Sequence, residues 1–109
     1  MDEIEQLAEI FKALSDPTRL RLVKLLSGQA LGEHPENCNG RGFLCVNALA
    51  SKLDITQSAV SQHLRVLRQA GLVRGERRGS FMHYSIDQDG LQRYNAALRE
   101  ILGEDFVIV

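Results

Sequence analysis

Ile55-Thr56-Gln57-Ser58-Ala59-Val60-Ser61-Gln62-His63-Leu64-Arg65-Val66-Leu67-Arg68-Gln69-Ala70-Gly71 is the stretch that decides the fold. At helical spacing Val60, Leu64 and Leu67 share one face, while Ser58, Ser61, Gln62 and Arg65 follow the i, i+3, i+4, i+7 positions of the opposite face. Thr56 is placed to cap the start and Gly71 to end the helix. The outer stripe is short, polar and able to hydrogen-bond. Solvated helix faces ordinarily carry Glu and Lys, yet residues 55–75 contain no acid at all. Such a face suits the DNA major groove, because Gln and Arg engage purine edges in pairs and Ser reaches bases or phosphate. Gln57 sits at the helix start, where a recognition helix makes its base contacts and where free amides favour a phosphate. The candidate reading set in this helix is Thr56, Gln57, Ser58, Ser61, Gln62, His63 and Arg65. His63 falls between the two faces, which leaves both a packed histidine and a DNA contact open.

Working outward, a short helix is expected from Asn47, as N-cap, through Leu53, followed by the turn Asp54-Ile55-Thr56. Residues 47–71 therefore read as a helix-turn-helix. After Gly71 the period changes from helix to strand. Leu72-Val73-Arg74-Gly75-Glu76 and Phe81-Met82-His83-Tyr84-Ser85-Ile86 flank Arg77-Arg78-Gly79-Ser80, which predicts a β-hairpin over 72–86 with a basic tip. Arg77 and Arg78 there are placed to reach phosphates or an adjacent minor groove.

Toward the N-terminus, Ile4, Leu7, Ala8, Phe11 and Leu14 predict an amphipathic helix over about residues 2–15. Asp16 as N-cap and Pro17 at the first position start a second helix, with Leu20, Val23 and Leu26 inward and Ser27-Gly28 ending it. Residues 28–42, with four glycines and little apolar content, read as an inserted loop. A last helix over 90–103 carries Leu91, Tyr94, Leu98 and Ile101 as a stripe suited to pairing with another helix. The expected architecture is one domain over 1–109, mainly α with a small β-hairpin: a winged helix-turn-helix that dimerises through its terminal helices.

Composition bounds the function. A chain of 109 residues, 44% hydrophobic, holds one core but has little left to wall off a deep catalytic pocket, so a large multidomain enzyme is excluded. No apolar run approaches the ~18 residues of a membrane span, and Met1-Asp2-Glu3-Ile4-Glu5 lacks the order of a signal peptide. A cytoplasmic protein without a membrane partner is expected. The net charge of -1 hides a division: Lys52, Arg65, Arg68, Arg74, Arg77 and Arg78 face only Asp54 and Glu76 within 52–83, while the flanking segments are acidic. A basic block in an acidic chain is what a localised phosphate-facing surface looks like.

The runs Phe11-Lys12-Ala13-Leu14-Ser15-Asp16-Pro17-Thr18-Arg19-Leu20-Arg21 and Ile55 through Val73 resemble the ArsR/SmtB family of winged-helix repressors, over roughly residues 5–90. The resemblance implies a homodimer paired through its first and last helices. It also implies a repressor released from a double-stranded DNA operator by an effector, with Gln57, Ser58, Ser61 and Gln62 on the base-reading face. Arsenic- and cadmium-responsive members open the third helix with Cys-Val-Cys, whereas Cys45-Val46-Asn47 keeps the first cysteine and places asparagine at the second. Zinc-sensing members use ligands on the last helix that include histidine, and residues 90–103 hold none. The chain offers instead His34, Cys38 and Cys45, with Glu33 and Glu36 nearby; soft thiolates and imidazole suit a thiophilic metal or metalloid ion. Three readings stay open here: a metal or metalloid site, a thiol switch joining Cys38 to Cys45, and a merely buried Cys45. A small thiol enzyme or metal carrier built on the same residues is the alternative from another class.

Overall fold

The computed structural model describes residues 2–30 and 44–103. Its elements run α1 (Glu3–Leu14), α2 (Pro17–Ala30), β1 (Leu44–Cys45), α3 (Val46–Leu53), α4 (Gln57–Gln69), β2 (Val73–Arg78), β3 (Phe81–Ile86) and α5 (Gln88–Leu102). The caps explain several starts. Asp2 and Glu5 form a reciprocal capping box at α1. Asp16 accepts from the Arg19 amide at 3.1 Å in the first turn of α2, as its position ahead of Pro17 predicts. Thr56 accepts from the Ala59 amide at 3.1 Å and opens α4. Asp54 takes the left-handed conformation, φ 55°, that turns α3 into α4.

Leu22, Leu26, Leu49, Val60, Leu64, Leu67 and Val73 are fully buried and bring α2, α3, α4 and β2 into one core. The sheet is antiparallel with strand order β1-β3-β2, Val73 facing Ile86 and Arg78 facing Phe81. Its third strand, β1, was not expected: two residues are too short a run to show a period. α5 is pressed onto the end of α4. A Cβ on Gly90 would lie 2.0 Å from the Gly71 carbonyl oxygen, and the Tyr94 hydroxyl donates to the Ala70 carbonyl.

The helices depart from the sequence expectations as well. α2 does not end at Ser27-Gly28 but continues to Ala30, so residues 28–30 of the expected loop are helical. One interior glycine costs a helix only about 1 kcal/mol relative to alanine, which is too little to stop it. The inward residues of α2 are Leu22 and Leu26, whereas Leu20 is 50% exposed. Leu20, Leu22, Val23, Leu25 and Leu26 are spread around the axis, and packing rather than period selects among them. In α1 the inward residues are Leu7, Ile10 and Ala13, while Ile4 and Phe11 face solvent. Finally, α3 begins two residues earlier than expected, with Cys45 rather than Asn47 at its N-cap. His34, Cys38, Glu33, Glu36 and the remainder of the expected loop, together with residues 104–109, lie outside the described residues.

Candidate nucleic-acid interface

α4 turns its apolar face fully inward, with Val60, Leu64 and Leu67 at 0–1% exposure, so its opposite face must look outward. Thr56, Gln57, Ser58, Ser61, Gln62 and Arg65 are all exposed there, and His63 is half-buried between the faces. Gln57 is not wholly idle. Its side-chain amide donates to the side-chain oxygen Oδ1 of Asn47, which ties the first turn of α4 to the first turn of α3. His63 Nδ1 lies 3.3 Å from Arg19 Nη1 on α2. Both contacts are invisible in the periodicity of α4 alone.

The wing places its arginines on a strand rather than at the tip. β2 runs through Arg77 and Arg78, and the turn itself is Gly79-Ser80, where Gly79 adopts φ +62°. This is a two-residue hairpin connection that needs a left-handed residue, so the pairing continues to the last arginine. Arg77 is exposed; Arg78 is half-buried and bridges Glu76 at 3.4 Å. An ion pair this exposed contributes little, and a phosphate competes with it readily.

The described cysteine lies at the other end of the helix-turn-helix. Cys45 is 6% exposed, its sulfur is disulfide-bonded, and it stands at the N-cap of α3 without a capping side-chain bond. Antiparallel pairing sets it directly across from His83 of β3. Paired residues project to the same face, and His83 is likewise buried, at 4%, with an Nδ1 that has no hydrogen-bond partner. Burying an imidazole nitrogen without a partner is costly, which makes His83 the functional candidate that sequence reading missed. Its position opposite Cys45 depends on β1. Among the described residues no group of three His, Cys, Asp or Glu side chains could hold a metal ion, so the expected His34, Cys38 and Cys45 set is represented there by Cys45 alone.

A second surface is apolar. Ile4 and Phe11 of α1 and Leu91, Ile101 and Leu102 of α5 are 46–67% exposed, and a groove lined by Leu7, Phe11, Leu91 and Leu98 runs between the two helices. No helix among the described residues is long and apolar enough to cross a membrane.

Comparison with known proteins agrees with this geometry. A family model described as a helix-turn-helix domain matches residues 14–76. An uncharacterized HTH-type transcriptional regulator of Methanocaldococcus jannaschii is 38% identical, over 82% of this chain and 86% of its own. A transcriptional repressor SmtB homolog of Synechocystis is 40% identical over 79% of this chain, which spans 55% of that longer protein. Among solved structures, an ArsR-like transcriptional regulator from Rhodococcus sp. RHA1 superposes with TM-score 0.69 at 28% identity, covering 93% of this chain and 83% of that one.

Proposed function

This chain belongs to the ArsR/SmtB family of winged-helix transcriptional regulators, and on that footing we propose that it is a dimeric repressor reading an operator through α4. It is a regulator and not an enzyme, which disposes of the thiol-enzyme alternative. The observation that carries the reading is the acid-free outer face of α4: Gln57, Ser58, Ser61, Gln62 and Arg65 stand exposed on a helix whose other face is locked in the core. Thr56 and His63 flank that face, and Arg77 and Arg78 supply phosphate contacts from the wing. The exposed apolar face of α1 and α5 is the surface a second copy covers, and two such copies present their α4 helices to half-sites roughly 34 Å apart.

For release, we propose an effector acting at Cys45. It is either a thiophilic metal or metalloid ion held with Cys38 and His34, or an oxidant that joins Cys38 to Cys45. The disulfide-bonded sulfur, with the buried His83 paired across from it, favours the oxidant. Cys45 occupies the N-cap position of α3, and Asn47, two residues on, is bonded to Gln57, so a change at the cysteine is passed to Gln57 through the first turn of α3. A coupling of about 1–3 kcal/mol is enough to weaken operator binding 5- to 150-fold. The test is fluorescence anisotropy of reduced, metal-free protein on labelled DNA from upstream of its own gene, with Zn(II), arsenite and diamide added separately. Binding lost with one additive, and kept in Cys38→Ser and Cys45→Ser proteins, identifies the trigger. Binding indifferent to all three removes the cysteine effector, and no operator binding overturns the repressor.

A further inference from the structure

We propose that Arg19 and His63 form a strut that sets the pose of the recognition helix and determines which ring nitrogen His63 offers to DNA; this rests on α4 being the reading helix. Arg19 is half-buried in the first turn of α2, where its own amide donates to Asp16. Its guanidinium bridges two other helices. Nε donates to the Ala13 carbonyl oxygen at 2.6 Å, and Nη1 meets His63 Nδ1 at 3.3 Å. Ala13 belongs to the last turn of α1, whose carbonyls have no partner within the helix, and a cation is favoured at that end. One side chain therefore ties together the helix that carries the exposed apolar face, the helix that positions it and the helix that reads DNA.

The pairing also decides a tautomer. A guanidinium carries only donors and does not lose its proton, so Nδ1 of His63 has to accept. The proton of the neutral ring then sits on Nε2, at the ring edge away from Arg19. His63 is held in this state between the exposed Gln62 and the buried Leu64, and what it offers DNA is a single N–H donor. Phosphate oxygens and purine N7 or O6 atoms can receive that bond, whereas the amino groups of adenine and cytosine cannot. His63 is a specificity element because Arg19 makes it one, and Arg19 is a positioning residue that need not touch DNA.

The experiment measures operator affinity, with a scrambled duplex as control, for wild type, Arg19→Lys, His63→Leu, His63→Asn, and the Arg19→Lys, His63→Leu double variant. Circular dichroism melts confirm folding. Asparagine places a carbonyl oxygen near the position of Nδ1 and so restores the acceptor that leucine lacks. His63→Leu and Arg19→Lys are each expected to weaken operator binding about 10-fold, the scale of one hydrogen bond to a charged group. The double variant should be no weaker than the worse single one, because both break one interaction. His63→Asn should recover part of the loss, since it restores the acceptor for Arg19 but places no donor where Nε2 stood. Leucine binding like wild type, asparagine as weak as leucine, or multiplicative losses in the double variant would each overturn the strut. Should Arg19→Lys fail to fold, the comparison of His63→Leu with His63→Asn decides alone. A wild-type protein that does not distinguish operator from scrambled DNA instead overturns the repressor reading beneath it.

Discussion

α4 and α1 both carry an apolar stripe at helical spacing, yet only α4 buries the whole of its own. Val60, Leu64 and Leu67 are sealed inside the chain, whereas Ile4 stands 67% and Phe11 52% exposed on α1. The difference teaches that period identifies a helix and the face that must be covered, but not what covers it. For α4 the cover is α2, α3 and the sheet of the same chain. For α1 the same chain covers Leu7, Ile10 and Ala13 but leaves Ile4 and Phe11 bare, as it leaves Leu91, Ile101 and Leu102 of α5, and exposed apolar groups clustered in this way are candidates for contact with another surface.

The largest effects should separate these two stripes. Leu64→Ala opens a cavity under α4 and should lower unfolding stability by about 2–5 kcal/mol in urea titrations. Phe11→Ala should leave unfolding of the dilute monomer within about 0.5 kcal/mol of wild type, as expected away from a packed core. It should nonetheless weaken self-association at least about 10-fold in sedimentation equilibrium, the scale of an interface anchor. A Phe11→Ala protein that unfolds like Leu64→Ala, with unaltered association, would erase the contrast.

The next effects concern the polar faces. Gln57→Ala should reduce operator affinity about 10-fold while preserving the oligomer, the worth of one good base contact. If anisotropy gives unchanged affinity, Gln57 leaves the reading set and keeps only its bond to Asn47. Replacing Arg77 and Arg78 together by alanine should flatten the slope of log affinity against log salt by about 1–2, since each phosphate contact releases a counterion. An unchanged slope takes the wing off the backbone.

The smallest effect belongs to Asp16. Donation from the Arg19 amide holds its carboxyl below the ordinary value; burial opposes this, and the charge of the Arg19 guanidinium assists it. A lowered folded pKa means the contribution is complete above the unfolded value of about 4 and is lost as pH falls through the folded one. Asp16→Asn should therefore flatten the acid limb of a pH–stability profile and leave the neutral region nearly unchanged. A profile identical to wild type below pH ~4 would show that this cap does not couple folding to pH.

Much of α4 was legible because its signals are local. Thr56 as a cap, Gly71 as a stop, the buried triplet and the exposed polar stripe follow from neighbours within a few turns, and the structure places each where spacing predicts. α2 was less legible, since five apolar residues around one axis mark no single face, and a lone glycine could not end it. The shift of the α3 cap from Asn47 to Cys45 arises because Cys45 also pairs with His83, which no local pattern encodes.

The amino-acid order by itself determined a winged helix-turn-helix with a basic centre between acidic ends, because helical period, capping chemistry and charge are properties of short segments. Only the tertiary structure decided that Gln57 is bonded to Asn47, that Arg19 spans α1 and α4 to reach His63, and that a buried histidine faces Cys45. These pairings join residues separated by as much as 44 positions, and a hydrogen bond forms only where packing has brought donor and acceptor within about 3 Å.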